Sequence, residues 1–345
     1  DDIDPAQTDD DYPSKQFNVA TWTGNGTNDT AIDLDMAPDL VVIKERGAAN
    51  NWYWIDSTRG VTNTLQSNST GSTHTESGVL NAFTSTGFTI GTSGGSNNNN
   101  DTYCGWGWRA NGGTTASNSD GSITSTVQAN TKAGFSIITF TSPNNTADQT
   151  VGHGLSQAPE FIISKNRDST FNWDCFHIGL DDTTYGIRLN TNGTPLSGRW
   201  GTVNSSTITT KNNYTHSGTD DYVFYAWHSV EGYSKFGRYI ANDNADGPFV
   251  YTGFRPRMIF IKMLVTGDGW GVWDSGRYPS NPIYKIVSWN LSNAESTLAS
   301  GYYDVDFLSN GFKIRASNAQ INSTSYDPYI WGAWGDVPFK YNNTF

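Results

Sequence analysis

"PDLVVIK" at 38–44, "PEFIISK" at 159–165 and "PRMIFIK" at 256–262 are one phrase written three times. Eight residues beyond Lys44, Lys165 and Lys262 stand Trp52, Trp173 and Trp270, and four further on stand Asp56, His177 and Asp274, with no gap needed anywhere. Pro38, Pro159 and Pro256 open the three phrases. Agreement at fixed offsets is the mark of internal repetition, so the chain is read as three copies of one unit. Each phrase is apolar at successive positions, which predicts a strand covered on both faces, with the lysine emerging where the strand leaves the core.

Outward from this phrase the copies share a grammar. Before it comes an alternating run, "FNVATWTG", "FSIITFTS" or "KFGRYIAN", that ends in a polar turn. After it come "WYWID", "WDCFH" and "WGVWD", placed as hairpin partners of the lysine strand. "FTSTGFTI" at 83 and "FLSNGFKI" at 307 predict a further hairpin, and copy two departs here, offering only "TITTKNNYTHSG". Each copy closes on an aromatic strand, "YCGWGWRA", "YVFYAWHS" or "YIWGAWGD". No helical periodicity intervenes. The expected fold is all-β, three tandem antiparallel β-sandwich-like repeats: an acidic arm at 1–16, copy one at 17–113, a linker at 114–133, copy two at 134–231 and copy three at 232–345. The connection "HSVEGYSKFG" is short enough that neighbouring copies should pack together.

Composition narrows the function. A net charge of −12 repels phosphate backbones and anionic lipid, so no nucleic-acid partner is expected. No apolar run reaches the ~20 residues of a membrane span, and membrane insertion is not expected. Gly, Ser, Thr and Asn abound and aromatics reach 14%, a balance suited to extracellular β-structure. Cys104 and Cys175 sit in strand-like runs of different copies and are read as buried free thiols.

The phrases "AGFSIITFTSPNNTADQTVGHGLSQAPEFIISKNR", "EGYSKFGRYIANDNADGPFVYTGFRPRMIFIK", "NLSNAEST", "VDFLSNGFKI" and "VPFKY" resemble a family of repeat domains in tail-fibre and other virion structural proteins of marine bacteriophages. The resemblance covers nearly the whole chain from about Phe17. It implies a virion surface protein without known catalysis, whose partners are other virion proteins; the repeated edge strands offer surfaces for assembly with further copies of itself, and the polar, aromatic-rich loops suit contact with a host cell-surface glycan. A carbohydrate-active protein, either a glycan-binding module or a polysaccharide depolymerase, is the alternative.

Catalytic motifs are weak. "GTSGG" at 91–95 matches a nucleophile elbow only in letters, since it runs into "SNNNN" instead of a helix. "GWGWRA" has the spacing of a dinucleotide fingerprint without its strand–helix context. His74, His153, His177, His216 and His228 lack a metal-site spacing, and "NDNADG" at 242 has Gly253 where a calcium loop needs its glutamate. No enzyme, cofactor or metal site is expected. Asp56 and Asp274 each have an arginine three residues on, Arg59 and Arg277, and are read as turn-pinning ion pairs. Eleven Asn-x-Ser/Thr sites, Asn25, Asn68, Asn204 and Asn290 among them, mark loops. Pro38, Lys44, Trp52, Asp56 and their counterparts in the other copies are thus structural signature residues. Recognition is expected where the copies disagree, at 61–80, 92–101, 183–205 and 278–300.

Overall fold

A computed structural model describes residues 12–335 except 266, 268 and 297. The acidic arm therefore lies outside the described residues up to residue 11, as does the closing "VPFKY" phrase.

The fold is all-β and sandwich-like, and the same sheet is built three times. In copy one the opening strand Phe17–Thr23 pairs with the closing strand Thr102–Trp108, which pairs with the lysine strand Leu40–Glu45, and that with Tyr53–Asp56. Copy two repeats this order with Phe135–Thr141, Asp221–Trp227, Phe161–Asn166 and Asp174–His177. Copy three does so with Ser234–Tyr239, Tyr329–Gly335, Pro256–Met263 and Gly271–Asp274. All these pairings are antiparallel. Lys44 lies opposite Cys104, Lys165 opposite Val223 and Lys262 opposite Ile330, each the residue after the closing tyrosine, so the three phrases occupy one register.

A small three-stranded sheet covers one face of each large sheet: Thr30–Asp33, Gly87–Ile90 and Ala82–Phe83 in copy one, Phe249–Tyr251, Gly311–Ile314 and Val305–Leu308 in copy three. Copy two has the same sheet, from Gln149–Gly152, Thr207–Thr210 and Trp200–Val203. Its hairpin is therefore present after all; its first arm is "WGTV", upstream of the stretch the sequence pointed to. The segment 114–133 is likewise more than a linker. Ala116–Asn118 and Ser125–Asn130 form a hairpin that adds two strands to the edge of copy two's large sheet. An α-helical turn, Ala319–Asn322, capped by the Asn318 side chain, and a 3-10 turn, Thr324–Tyr326, interrupt the β-structure in copy three.

The continuous apolar run of the lysine strand has a direct structural reason. Val41 and Ile43 face copy one's own core beneath the small sheet, with Ile32, Leu34, Ile55, Phe88 and Ile90. Leu40 and Val42 face the other way into a second core, shared with Phe161 and Ile163 of copy two and Met258 and Phe260 of copy three. Alternation sends successive residues to opposite faces, and here both faces are dry. The shared core is mostly aromatic. At its centre Trp108, Trp227 and Trp334, one from each closing strand, meet edge to face with ring centroids 5.4–6.0 Å apart. Their indole N–H groups find no acceptor among the described residues, so the positive ring edges rest against neighbouring π-faces.

Candidate functional site: the joints between copies

Every signature residue of the sequence is buried. Most are fastened to a neighbouring copy. Trp52 donates its indole N–H to Ser288 O and Leu291 O of copy three, at 2.9 and 3.0 Å. Trp173 donates to Gln66 O and Ser69 O of copy one, at 3.2 and 3.0 Å. Trp270 donates to Arg188 O of copy two, at 3.0 Å. Each accepting segment is a strap that runs along the edge of its own lobe and reaches the next one; Arg188 and Ser288 are themselves edge-strand residues of the large sheets of copies two and three. The backbone N–H of each tryptophan is held in turn by an asparagine of its own copy, Asn68, Asn190 or Asn290, at 2.9 Å.

The straps also explain the lysines, which do not emerge from the core as expected. All three are fully buried, and a neighbouring copy reaches two of the strand ends, Thr70 at Lys165 and Ser292 with Glu295 at Asn50 and Arg46 beside Lys44. Lys165 Nζ donates to Phe171 O and, across the joint, to Thr70 O; Lys44 Nζ donates to Glu45 O and, at 3.4 Å, Ala48 O; Lys262 Nζ donates to Met263 O. Burial pulls the ammonium groups of Lys44 and Lys165 down to about 8.

At the opposite end of each joint sits the fourth signature residue. Asp56 and Arg59 form a buried pair at 2.5 Å, and Tyr225 of copy two donates its hydroxyl to the same carboxylate at 2.7 Å. Asp274 and Arg277 pair at 2.6 Å, joined at 3.3 Å by the indole of Trp106 of copy one. These are the turn-pinning pairs the sequence predicted, with an added partner from the next copy. In copy two His177 replaces the aspartate. Its Nε2 lies 3.1 Å from Trp331 O of copy three, while Nδ1 accepts from Gly179 N at 2.9 Å, which places the ring proton on Nε2. The substitution is compensated across the joint. Where copies one and two carry Trp106 and Tyr225, copy three has Gly332, because a Cβ there would lie 2.4 Å from the Phe260 ring. With no side chain to meet, the longer imidazole reaches the backbone carbonyl, and burial holds it neutral, down to about 3.

The turn after each signature residue rests on the edge of the next sheet. Gly276 lies against Val19 and Gly179 against Gly237 O, where an added Cβ would come within 2.8 and 3.0 Å. Copy one has Thr58 instead, and it meets the inserted hairpin: Gln128 donates to Ser57 Oγ and Thr58 Oγ1 at 3.0 and 2.9 Å. Straps and turns alike join copy one to two, two to three and three to one. The ring is closed.

Other sequence candidates fall into packing roles. "GWGWRA" is largely the closing strand, and "GTSGG" is a loop in which Ser93 bonds Glu76 and the Gly95 amide. Cys104 and Cys175 are buried and unpaired to each other, with burial pushing both thiols up. His74 is exposed and the other four histidines are buried. Asn68 and Asn290, read as loop markers, are the acceptors beneath Trp52 and Trp270. The stretches expected to carry recognition are partly interior: Leu65, Ser67, Asn97, Ile187, Leu189, Trp200 and Trp289 in them are buried. Among the described residues no group of three or more His, Cys, Asp or Glu gathers as a metal site. What sequence reasoning missed is the holding role of Asn68, Asn190 and Asn290 and the cross-joint partners Trp106, Tyr225 and Trp331. The asparagines stand 16, 17 and 20 residues after their tryptophans, a drifting interval that an ungapped comparison passes over.

The lowered lysines set a pH dependence. Between about 8 and the ordinary lysine value near 10.4 the unfolded chain binds more protons than the folded one, so stability rises with pH across that window. Tyr53 and Tyr103, which burial pushes up to about 12, act the other way once unfolded tyrosine ionises near 10. The thermal midpoint should therefore climb from pH 8 to about 10 and then fall, and Lys44→Met with Lys165→Met should flatten the climb. An unchanged climb in the double variant would refute the assignment.

The chain belongs to the family described as Domain of unknown function (DUF7483), which matches residues 12–338. The match runs through all three copies as one unit. No curated protein matches the chain significantly. No solved structure does so either.

Proposed function

We propose that this chain is a structural component of a bacteriophage particle surface, a tail-fibre, decoration or other exposed block that contacts neighbouring virion proteins and host glycan and performs no catalysis. The observation that carries the reading is the use made of the repeated residues. In all three copies the signature tryptophan and the residue four positions on connect one lobe to the next, which is what a rigid building block requires. The resemblance of its longest phrases to marine-phage virion repeat domains supports the same reading, as does a polar, acidic surface that resists nucleic acid.

Antibody labelling of purified particles viewed by electron microscopy tests it. Label at a fixed place on the particle is expected, and particles free of label would overturn the proposal. Incubation with host polysaccharide addresses the alternative: oligosaccharide released with time would replace the structural reading by a depolymerase.

A further inference from the structure

The three small sheets have equivalent outer faces and unequal chemistry. In copy one the outermost strand turns Ala31 and Asp33 outward around buried Ile32, with Ala31 beside Thr89. In copy two Thr150 lies beside Thr209, and residues 121–123 run along that edge through a bridge between Ile123 and Val151. In copy three the same positions are Phe249 and Tyr251 around buried Val250, and the rings are 45% and 58% exposed. Copies one and two fold with small residues there, so the fold does not require the aromatics.

The surroundings are polar and locally basic. Phe249 pairs across the sheet with Lys313, and Lys313 with Asp306. Tyr251 pairs with Gly311, where an added Cβ would lie 2.9 Å from the Phe249 ring, so that ring leans into the space the glycine leaves. Lys235 Nζ stands 4.8 Å from the Tyr251 ring centroid and donates to Tyr251 O at 3.3 Å, and it pairs with no carboxylate among the described residues. Lys313 and Arg315 are tied to Asp246 and Asp306. Three cations against two carboxylates leave 3 − 2 = +1 on this face of a chain whose net charge is −12.

We propose that this face binds a carboxylate-bearing pyranose chain. Successive outward residues on a strand are ~7 Å apart, which offers two aromatic platforms to the apolar faces of neighbouring sugar rings. The unpaired ammonium of Lys235 meets a uronate carboxylate, and the Lys313–Asp246 and Arg315–Asp306 pairs supply donors and acceptors for hydroxyls. Repulsion from the rest of the acidic chain is screened beyond ~10 Å at 0.1 M salt. The inference rests on the proposed glycan contact and locates it.

Titration of the whole chain with alginate oligosaccharides, and with dextran oligosaccharides as the neutral counterpart, tests this. Alginate should bind and dextran should not. Phe249→Ala and Tyr251→Ala should each weaken binding by roughly tenfold, the scale of one good aromatic contact. Lys235→Gln should erase the preference for the acidic sugar. Tyr302→Ala, at another exposed ring, should change nothing. No binding, equal binding of dextran, or binding indifferent to Phe249 and Tyr251 overturns the inference, as does self-association that these variants abolish in the absence of sugar binding. Particles that label with antibody while alginate fails to bind would sink this inference and leave the structural function standing.

Discussion

Replacing Trp108 by alanine should destabilise the whole chain by about 3–5 kcal/mol, in a single transition shared by all three copies. The ring sits against Phe17 of its own copy and against Trp227 and Trp334 of the other two. Removing it opens a void whose walls belong to three different sheets, and no one sheet can move in without loosening its joints. Denaturant unfolding followed by circular dichroism, alongside proteolysis at each connection, is the measurement. Two separated transitions, with copies two and three melting as in the parent, would show that the shared core does not couple the lobes. Trp108→Phe serves as the comparison. It removes an indole N–H that finds no acceptor among the described residues and keeps most of the apolar volume, so its cost should be much smaller.

Asp56→Ala should be nearly as damaging, and more so than Asp274→Ala. Deleting one member of a buried ion pair leaves the other uncompensated, typically at a cost of about 3–5 kcal/mol. Without Asp56, Arg59 keeps, among the described residues, only the Tyr225 hydroxyl and the carbonyls of Asn63 and Trp54. Without Asp274, Arg277 still has Glu295 at 3.1 Å, a strap carboxylate that also holds Arg46. Burial pushes the Glu295 carboxyl up, but Arg277 and Arg46 beside it outweigh that and hold it below the usual carboxylate range. Urea midpoints of the two variants decide the matter. The reverse order would mean that Glu295 does not shield Arg277.

The sequence displayed whatever depends on near neighbours. An unbroken apolar phrase implied a strand dry on both faces, and the lysine strand is that. Fixed spacing implied that Trp52, Trp173 and Trp270 share a packing register, and all three are fully buried. An arginine three residues after Asp56 and Asp274 implied an ion pair, which requires only one turn. What stayed hidden depends on partners far along the chain. The carbonyls that receive Trp52 lie 236 and 239 residues away, and no local pattern specifies them. Lys44 was expected at the surface because a charged residue at a strand end ordinarily reaches water. A strap from copy three covers that end, and a strap reads in sequence as any polar loop. The hairpin of copy two was missed because "WGTVNSSTITT" opens on a tryptophan whose role as a strand residue shows only against its partner Thr210. The glycan face too emerges only once the three outer strands are laid in register, which shows Phe249 standing where the others carry Ala31 and Thr150.

A linear array of repeats can gain or lose a unit, because each new unit stacks on the last and only the two terminal ones need polar caps. The closed circuit of straps and turns forbids this. Each lobe already has two neighbours, the last being bonded to the first through Asn50, Trp52 and Arg46, so the described residues leave no terminal surface on which a fourth lobe could stack. A deletion of one lobe would leave two sets of indoles, carbonyls and carboxylates facing solvent. The closed circuit therefore holds the copy number at three, while the outer faces stay open to insertion, the hairpin at Ala116–Asn118 and Ser125–Asn130 being one already accommodated.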